Sequence, residues 1–165
     1  MMRWIVVFLF AIGLLAVARA ESWRTYSNER FGTTADVPFD WRAGRPPDNG
    51  DGLVFTSPDG RASIAVYGSL HNWDTIDQAV AAFETPNDGE TITYKHREPR
   101  SIVISGTRGD RIYYAKSILS CHDNVWNSVR IEYPAALKDA FDSLVRHVAG
   151  SLRSGRSYQV DECNK

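Results

Sequence analysis

Residues 125–152, VWNSVRIEYPAALKDAFDSLVRHVAGSL, predict a β-strand followed directly by an amphipathic helix. Over residues 125–133 apolar and polar side chains alternate, which favours a strand with one dry face and one solvated face. Pro134 suits the first position of a helix, because its missing N–H costs nothing there. The helix is expected to lie on the sheet, since its apolar side chains form one stripe. That stripe consists of Leu137, Phe141, Leu144, Val145, Val148 and Leu152.

The preceding chain reads as short strands joined by turns. The clearest turn is Ser57-Pro58-Asp59-Gly60, where proline fixes φ and glycine accepts positive φ, so residues 53–68 are expected to form a hairpin. A short helix is expected to begin at Asp74 or Thr75 and to end before Pro86. Further strands are predicted at 22–28, 31–38, 91–97, 101–107 and 111–120.

Two segments interrupt this pattern of strands. Residues 41–52 are dense in Gly, Pro, Asp and Asn, which predicts an irregular surface loop. The runs at 91–97 and 101–107 can be interpreted as one strand interrupted at Pro99. Short strands linked by turns, with helices inserted, predict an α+β fold: a largely antiparallel β-sheet with helices packed on it.

The N-terminal segment has the features of an export signal. Arg3 precedes an apolar run over residues 4–17, and Ala18-Arg19-Ala20 gives a cleavage pattern of small residues. This predicts a signal peptide at residues 1–20, cut after Ala20, rather than a membrane span. The rest, residues 21–165, has the length of a single domain, with a polar tail from about residue 154. The expected location is the periplasm or the exterior, with no stable membrane insertion after cleavage.

The charge balance argues against a nucleic-acid partner. Cleavage would remove Arg3 and Arg19, which leaves 17 basic residues against 20 acidic ones and a net charge of about −3. Binding to nucleic acid needs a basic face, which this composition does not favour.

Cys121 and Cys163 are the two cysteines of the chain, and an exported protein meets oxidising conditions in which thiols pair. The strand over 125–133 is about 30 Å long and leads away from Cys121. A helix over 134–152 is about 28 Å long, so if it folds back over the strand its end returns close to Cys121. We therefore expect a Cys121–Cys163 disulfide that closes a loop of about 42 residues.

The alternative for Cys121 is a nucleophile with the neighbouring His122 as its base. Adjacent strand residues point to opposite faces, so this pair is poorly placed for a thiol–imidazole hydrogen bond. No catalytic residues are assigned. His71, His96, His122 and His147 lack a local ligand spacing, and Asp48-Asn49-Gly50-Asp51-Gly52 lacks the closing glutamate of a calcium loop. No metal and no cofactor are therefore predicted.

Aromatic residues give the remaining functional signal. Tryptophans in a small domain usually serve packing, but Trp126 falls on the polar face of its strand, and Trp41 and Trp73 lie near loops. If exposed, these three residues would form an interaction patch that Tyr113 could join.

Four motifs occur along the chain: Tyr26-x-Asn28-x-Arg30-Phe31-Gly32 with Pro38 following, Asn49-Gly50-Asp51-Gly52, Phe55-x-Ser57-Pro58-Asp59-Gly60-Arg61-Ala62, and Tyr133-Pro134 before the last helix. Together they resemble a group of uncharacterised exported bacterial proteins that is similar to the PsbP-like fold. Because members of this fold act mostly as binding or accessory proteins, the resemblance implies a non-catalytic binding or accessory role in the cell envelope. The resemblance assigns no functional residues to this chain. It does not identify the partner, which could be an envelope protein or a small ligand. The alternative is an envelope hydrolase whose site is assembled from distant residues.

Overall fold

The structure is a computed structural model that describes residues 22–155 and Cys163. The predicted signal peptide and residues 156–162, 164 and 165 of the tail lie outside the described residues. Within the described part, strands form two antiparallel sheets on which two helices pack. The strands are β1 (Trp23–Ser27), β2 (Thr33–Pro38), β3 (Arg42–Ala43), β4 (Gly52–Thr56), β5 (Ser63–Leu70), β6 (Glu90–Glu98), β7 (Ser101–Arg108), β8 (Arg111–Ser120), β9 (Val125–Pro134) and β10 (Arg153–Ser154), and the helices are α1 (Ile76–Phe83) and α2 (Lys138–Ser151).

The large sheet has the order β3-β4-β5-β9-β8-β7-β6, and the small sheet has the order β1-β2-β10. The small sheet and α2 pack side by side on one face of the large sheet, which we call the inner face. As the apolar stripe predicted, Leu144 and Val148 of α2 are buried there. This confirms the α+β class with a largely antiparallel sheet and packed helices. The core of the inner face contains Ala35, Val37, Trp41, Phe55, Ala62, Ile64, Val66, Val129, Ile131, Tyr133, Leu144, Val148 and Leu152.

The opposite face of the large sheet, the outer face, is partly covered by α1. Thr75 caps this helix through a reciprocal capping box with Gln78, which confirms one of the two expected starts. A second apolar cluster lies beneath it and includes Leu119 and Trp126. The prediction of a solvated outer face on β9 is therefore wrong for Trp126 and Ser128, which are both buried. Strand alternation shows which side chains share a face but not whether a later element covers that face.

Three local predictions need correction. Pro99 and Arg100 form a turn between β6 and β7, which pair as antiparallel neighbours and are not one interrupted strand. The segment 41–52 is mostly irregular, but its first residues contribute β3, which pairs with β4. Pro134 is the last residue of β9 and not the first residue of the helix, and a short 3₁₀ helix, Ala135–Leu137, precedes α2. Among the described residues no helix is long and apolar enough to cross a membrane.

Asn127 attaches the N-terminal hairpin to the large sheet. Its fully buried side-chain amide donates to the Phe31 carbonyl at 2.9 Å and to Thr33 Oγ1 at 2.7 Å. Its side-chain carbonyl accepts from Ser120 Oγ at 2.6 Å. A buried amide with its donors and acceptor engaged stabilises one specific docking of the hairpin. Sequence alternation alone gave no indication of this role.

The disulfide predicted from the redox compartment and the element lengths is confirmed. Cys121 and Cys163 are bonded, with their Cα atoms 4.9 Å apart and 42 positions apart in sequence. α2 runs back across the inner face to β10, and Cys163 lies at the turn between β8 and β9 that carries Cys121. Cys121 is thus not a free thiol, so the alternative of a Cys121–His122 nucleophile pair is wrong.

The turn that carries Cys121 is left-handed over three consecutive residues. The φ angles are 55° at Cys121, 50° at His122 and 69° at Asp123, a region in which a Cβ costs about 1–2 kcal/mol per residue. Asn124 closes the turn with a hydrogen bond to the Cys121 carbonyl at 3.0 Å. The Asp123 carboxylate pairs with Arg100 at 2.7 Å, whereas His122 is exposed.

We expect His122→Gly to stabilise the protein. Removing the Cβ at this positive φ relieves the steric cost, and the extra freedom of glycine in the unfolded chain offsets part of it, which leaves a gain of about 0.5–1 kcal/mol. The free energy of unfolding of the oxidised protein in urea measures the effect. His122→Ala is the control, because alanine keeps the Cβ and should leave stability unchanged; a glycine variant less stable than the alanine variant would contradict the prediction.

Candidate functional site

The predicted aromatic patch is not a surface feature. Trp41, Tyr113 and Trp126 are buried, and Trp73 is half-buried, so the prediction is wrong for the first three residues. Trp41 belongs to the core of the inner face, whereas Trp126 lies under α1 and donates from its indole N–H to Nδ1 of His71 at 3.0 Å. These residues are covered because each face of the large sheet carries a further layer.

A serine, a histidine and an aspartate meet where α2 packs on β2. Nε2 of His147 lies 3.1 Å from Oδ2 of Asp36, and the His147 ring stacks on Trp23 with centroids 3.8 Å apart. Ser151 Oγ accepts from the Asp36 N–H at 2.8 Å and donates to the Val148 carbonyl at 2.8 Å. Both backbone bonds occupy the hydroxyl, so this group attaches α2 to β2 and does not present an activated nucleophile.

The described residues contain no group of three or more His, Cys, Asp or Glu side chains placed to hold an ion. In the loop 48–52, Oδ1 of Asp51 pairs with Arg30 at 2.5 Å, and Oδ2 accepts a hydrogen bond from Asn49. Both oxygens of the Asp51 carboxylate are therefore engaged, one by Arg30 and one by Asn49.

The part of the outer face that α1 leaves open is built around Arg130. The Arg130 guanidinium carbon lies 4.4 Å from the centroid of the Tyr113 ring. The ring itself lies across β7 at Gly106, where an added Cβ would come within 2.8 Å of the Tyr113 hydroxyl oxygen. Gly106 thus leaves the space that lets Tyr113 and Arg130 stack on the sheet. The Tyr113 hydroxyl is buried and has no hydrogen-bond partner among the described residues.

Two glutamates hold the guanidinium in place. Arg130 donates from Nε to Glu132 at 2.8 Å and from its second terminal nitrogen to Glu90 at 2.5 Å. The exposed fraction of the side chain is 20% for Arg130, 16% for Glu132 and only 2% for Glu90. Arg108 and Arg111 approach Glu132 from the other side, at 2.9 Å and 3.9 Å. The site is therefore a charge network, largely shielded from water, at the open half of a sheet face.

The pKa shifts of Arg130 and Glu90 both favour the ionised form of the side chain. Burial alone would lower the pKa of Arg130, but the hydrogen bonds and charges of Glu132 and Glu90 outweigh it, so the net direction is upward. Burial alone would raise the pKa of Glu90, but the hydrogen bonds from Asn87 and the charge of Arg130 lower it overall. Arg130 and Glu90 thus form a charged pair near neutral pH.

A cavity of about 160 Å³ opens beside the guanidinium, beneath the end of α1. A shallower trough of about 370 Å³ is lined in part by residues of β4 and β5. Both depressions are lined by Tyr67, so we treat them together and call them the outer-face cleft. The cavity is lined by Tyr67, Ala82, Phe83, Thr85, Asn87, Ile102, Ile104, Ala115, Ser117 and Arg130; the trough is lined by Arg45, Pro47, Asn49, Asp51, Gly52, Leu53, Val54, Ala65 and Tyr67.

Sequence reasoning did not find this cleft. Arg130 and Glu132 are two positions apart on one strand and so share a face, which was visible in the alternation of residues 125–133. Glu90 lies on β6, three strands away from β9 in the sheet, and only the strand order brings it to Arg130. No local sequence pattern indicates that Glu90 and Arg130 lie close together in the sheet.

The pH dependence of stability should carry the signature of Glu90. A carboxyl whose pKa is lower in the folded protein contributes stability above its unfolded pKa, near the ordinary value of 4.5, and loses it as pH falls through the folded pKa. We expect the free energy of unfolding of the wild type to fall more steeply below pH 4.5 than that of Glu90→Gln. Urea unfolding between neutral pH and pH 3 measures both slopes. Asp59, whose pKa the Ser57 hydroxyl lowers, contributes equally to both proteins. Parallel curves would contradict the prediction.

Solved structures with the same architecture include two proteins of low sequence identity. The solution structure of cyanobacterial PsbP (CyanoP) from Synechocystis sp. PCC 6803 is similar with a TM-score of 0.58 and 15% identity, over 87% of this chain and 98% of that one. The crystal structure of the Saccharomyces cerevisiae Ran-binding protein Mog1p is similar with a TM-score of 0.56 and 10% identity, over 82% of this chain and 96% of that one. No protein-family model and no curated protein matches the sequence. The resemblance inferred from the motifs is thus confirmed as a PsbP-like sandwich fold.

Proposed function

We propose that the protein is an exported, non-catalytic binding or accessory domain of the bacterial cell envelope, and that its ligand or partner occupies the outer-face cleft. The observation that carries the proposal is the guanidinium of Arg130. It is mostly buried, is fixed by two carboxylates and lines a cavity of about 160 Å³. A concave site in which a few polar groups are held in fixed positions is a common place for ligands to bind.

Export is supported by two independent features. The first is the N-terminal pattern of one arginine, an apolar run and small residues before the cut after Ala20. The second is the disulfide between Cys121 and Cys163, since such bonds persist in oxidising compartments. A single domain over residues 21–165 is part of the same proposal.

A binding role is supported over hydrolysis by the way the reactive residue types are used. Cys121 is in a disulfide, and the Ser151 hydroxyl is bonded to backbone groups. Arg130 is paired with both Glu90 and Glu132, an arrangement that can position a ligand, and the lowered pKa of Glu90 disfavours its protonation for a role as an acid. Mog1p, which shares the fold, is a Ran-binding protein, so the sandwich can support recognition.

Mass spectrometry of the protein recovered from a periplasmic extract tests export. We expect the mass of residues 21–165 less two hydrogen atoms for the disulfide. Recovery of the uncut, reduced chain from the cytoplasm alone would contradict the proposal.

Photo-crosslinking in living cells tests the site. A photoreactive amino acid replaces Thr85, which is exposed at the cavity wall, or Ser143, which is exposed on α2 on the other side of the large sheet. We expect adducts from position 85, which lies next to the outer-face cleft, and none from position 143, which lies on the opposite side of the large sheet. Equal adducts from both, or adducts from position 143 alone, would place binding elsewhere and overturn the proposal.

A further inference from the structure

We propose that the cavity of the outer-face cleft binds a small organic anion, whose carboxylate accepts hydrogen bonds from the free N–H groups of Arg130. This inference rests on the proposed function and specifies the chemical class of the ligand. It follows from the donors that the charge network leaves unused, from the balance of charges around the cavity, and from the size and lining of the cavity.

Arg130 is the member of the charge network with unused hydrogen-bonding capacity. The two oxygens of Glu90 accept hydrogen bonds from Arg130 and Asn87, and the two oxygens of Glu132 accept them from Arg130 and Arg108. A guanidinium carries five N–H donors, of which Arg130 uses one on Nε and one on Nη2. Each carboxylate oxygen of the network thus has a donor, whereas the other N–H groups of Arg130 have no acceptor among the described residues.

The charge balance of the network favours an anion. Three arginines, Arg108, Arg111 and Arg130, surround two glutamates, so the network keeps a net positive charge. Neither Glu90 nor Glu132 lines the cavity, and Arg130 is the one charged residue among the described residues that do. An anion that enters the cavity therefore meets the guanidinium directly, at a position where burial limits the screening of the attraction by water.

A carboxylate matches the arrangement of the free donors. Both N–H groups on Nη1 of Arg130 and one on Nη2 are unused, so they lie on neighbouring nitrogens of one planar group. A carboxylate has two oxygens in one plane and accepts two such donors side by side. A single acceptor, such as the oxygen of an amide, gains neither the second bond nor the charge.

Hydroxyl groups add a donor to the same region. Tyr67, Ser128 and Ser117 occupy directly paired positions on β5, β9 and β8. The Ser117 and Ser128 hydroxyl oxygens lie 2.8 Å apart, and the Ser128 hydroxyl also hydrogen-bonds to Tyr67. Three hydroxyls joined by two hydrogen bonds retain one unused O–H group. Because Tyr67 and Ser117 line the cavity, this chain supports binding of a ligand rich in acceptors.

The size of the cavity limits the ligand to a small solute. Its volume is about 160 Å³, below the roughly 300–1,000 Å³ of pockets that hold drug-sized molecules. Polar side chains, among them Thr85 and Asn87, share the lining with the hydrocarbon side chains of Ile102 and Ile104. A carboxylate that carries a short chain fits this combination of volume and lining.

Three probes of similar size test the ligand class in a titration of the oxidised protein followed by amide NMR shifts at constant ionic strength. Propionate carries the carboxylate, propionamide is its neutral counterpart, and inorganic phosphate is an anion of different shape. We expect propionate to bind at least about fivefold more tightly than propionamide, and more tightly than phosphate. Propionamide that binds as tightly as propionate would overturn the anion, phosphate that binds as tightly would overturn the carboxylate, and the absence of saturable shifts with propionate would overturn both.

Arg130→Lys tests the role of the paired donors. Lysine keeps the positive charge but lacks the planar pair of N–H groups, so propionate should bind at least about fivefold more weakly. Arg108→Lys is the matched control, because Arg108 belongs to the same network but not to the cavity lining, and it should leave the affinity unchanged. An Arg130→Lys variant that binds propionate as tightly as the wild type would contradict the inference.

A second pair of variants locates the bound anion without altering the charge network. Ala82→Trp fills the mouth of the cavity, whereas Ala81→Trp places the same side chain on the neighbouring exposed position of α1, outside the cavity lining. Only the first should abolish binding of propionate, and unchanged binding would reject the cavity as the anion site. If crosslinks from position 85 are seen but the preference for propionate fails, the ligand class alone is rejected. If those crosslinks are absent, the proposed function fails as well.

Discussion

Replacing Cys121 and Cys163 together with serine is expected to lower the free energy of unfolding by about 4 kcal/mol. The disulfide joins residues 42 positions apart, and in the chain-entropy model a loop of that size restricts the unfolded chain by about this amount. Domains of this size are stable by about 5–15 kcal/mol in total, so the variant should unfold at much lower denaturant concentration. Urea unfolding of both proteins measures the difference.

Reduction of the wild type provides the matched comparison for the double variant. The reduced protein and the serine variant should unfold at the same urea concentration, because both lack only the crosslink. The left-handed turn at Cys121, His122 and Asp123 should loosen in both, since its positive φ angles are no longer constrained from Cys163. A loss of less than about 1 kcal/mol would show that the crosslink stabilises neither the turn nor the tail.

Replacing Arg130 with methionine is expected to destabilise the protein by about 3–5 kcal/mol, the usual cost of removing one partner of a buried ion pair. Methionine retains much of the hydrocarbon stem that packs on Tyr113, so the lost charge is the main change. Glu90, with 2% of its side chain exposed, then remains as a buried carboxylate without its cation. Chemical unfolding at neutral pH measures the loss.

The double variant Arg130→Met/Glu90→Gln separates charge from packing. Once Glu90 carries no charge, the desolvation cost in the single variant disappears, so the double variant should be more stable than Arg130→Met alone. Arg108→Met is the control for a cation at the edge of the same network, because Arg108 is half-exposed and its pair with Glu132 should contribute less than about 1 kcal/mol. A double variant as unstable as the single variant would contradict the account of Glu90.

The fold was largely predictable because its determinants are local. The turn at residues 57–60, the cap at Thr75 and the apolar stripe that includes Leu144 and Val148 each specify an element from neighbouring residues. Element lengths were enough to bring Cys163 back to Cys121, since a strand followed by a helix of similar length returns the chain to its starting point. The antiparallel sandwich follows from these features.

The cleft was not predictable from the sequence. It depends on the order of the strands in the large sheet and on which parts of the outer face other elements cover. Trp126 and Tyr113 looked available for recognition, but α1 and the Arg130 network cover them. Glu90 meets Arg130 only because β6 and β9 belong to one sheet, with Gly106 leaving the space between them. Contacts between residues 40 positions apart carry no signature in the periodicity of either strand.

The yield of crosslinks from position 85 in the Ala82→Trp and Ala81→Trp backgrounds tests most directly whether the outer-face cleft is the binding site. The two backgrounds carry the same indole at adjacent exposed positions, and only the first fills the cavity. The account predicts a yield at least about fivefold lower with Ala82→Trp, because the ligand can no longer enter, and an unchanged yield with Ala81→Trp. Equal yields in the two backgrounds would contradict it.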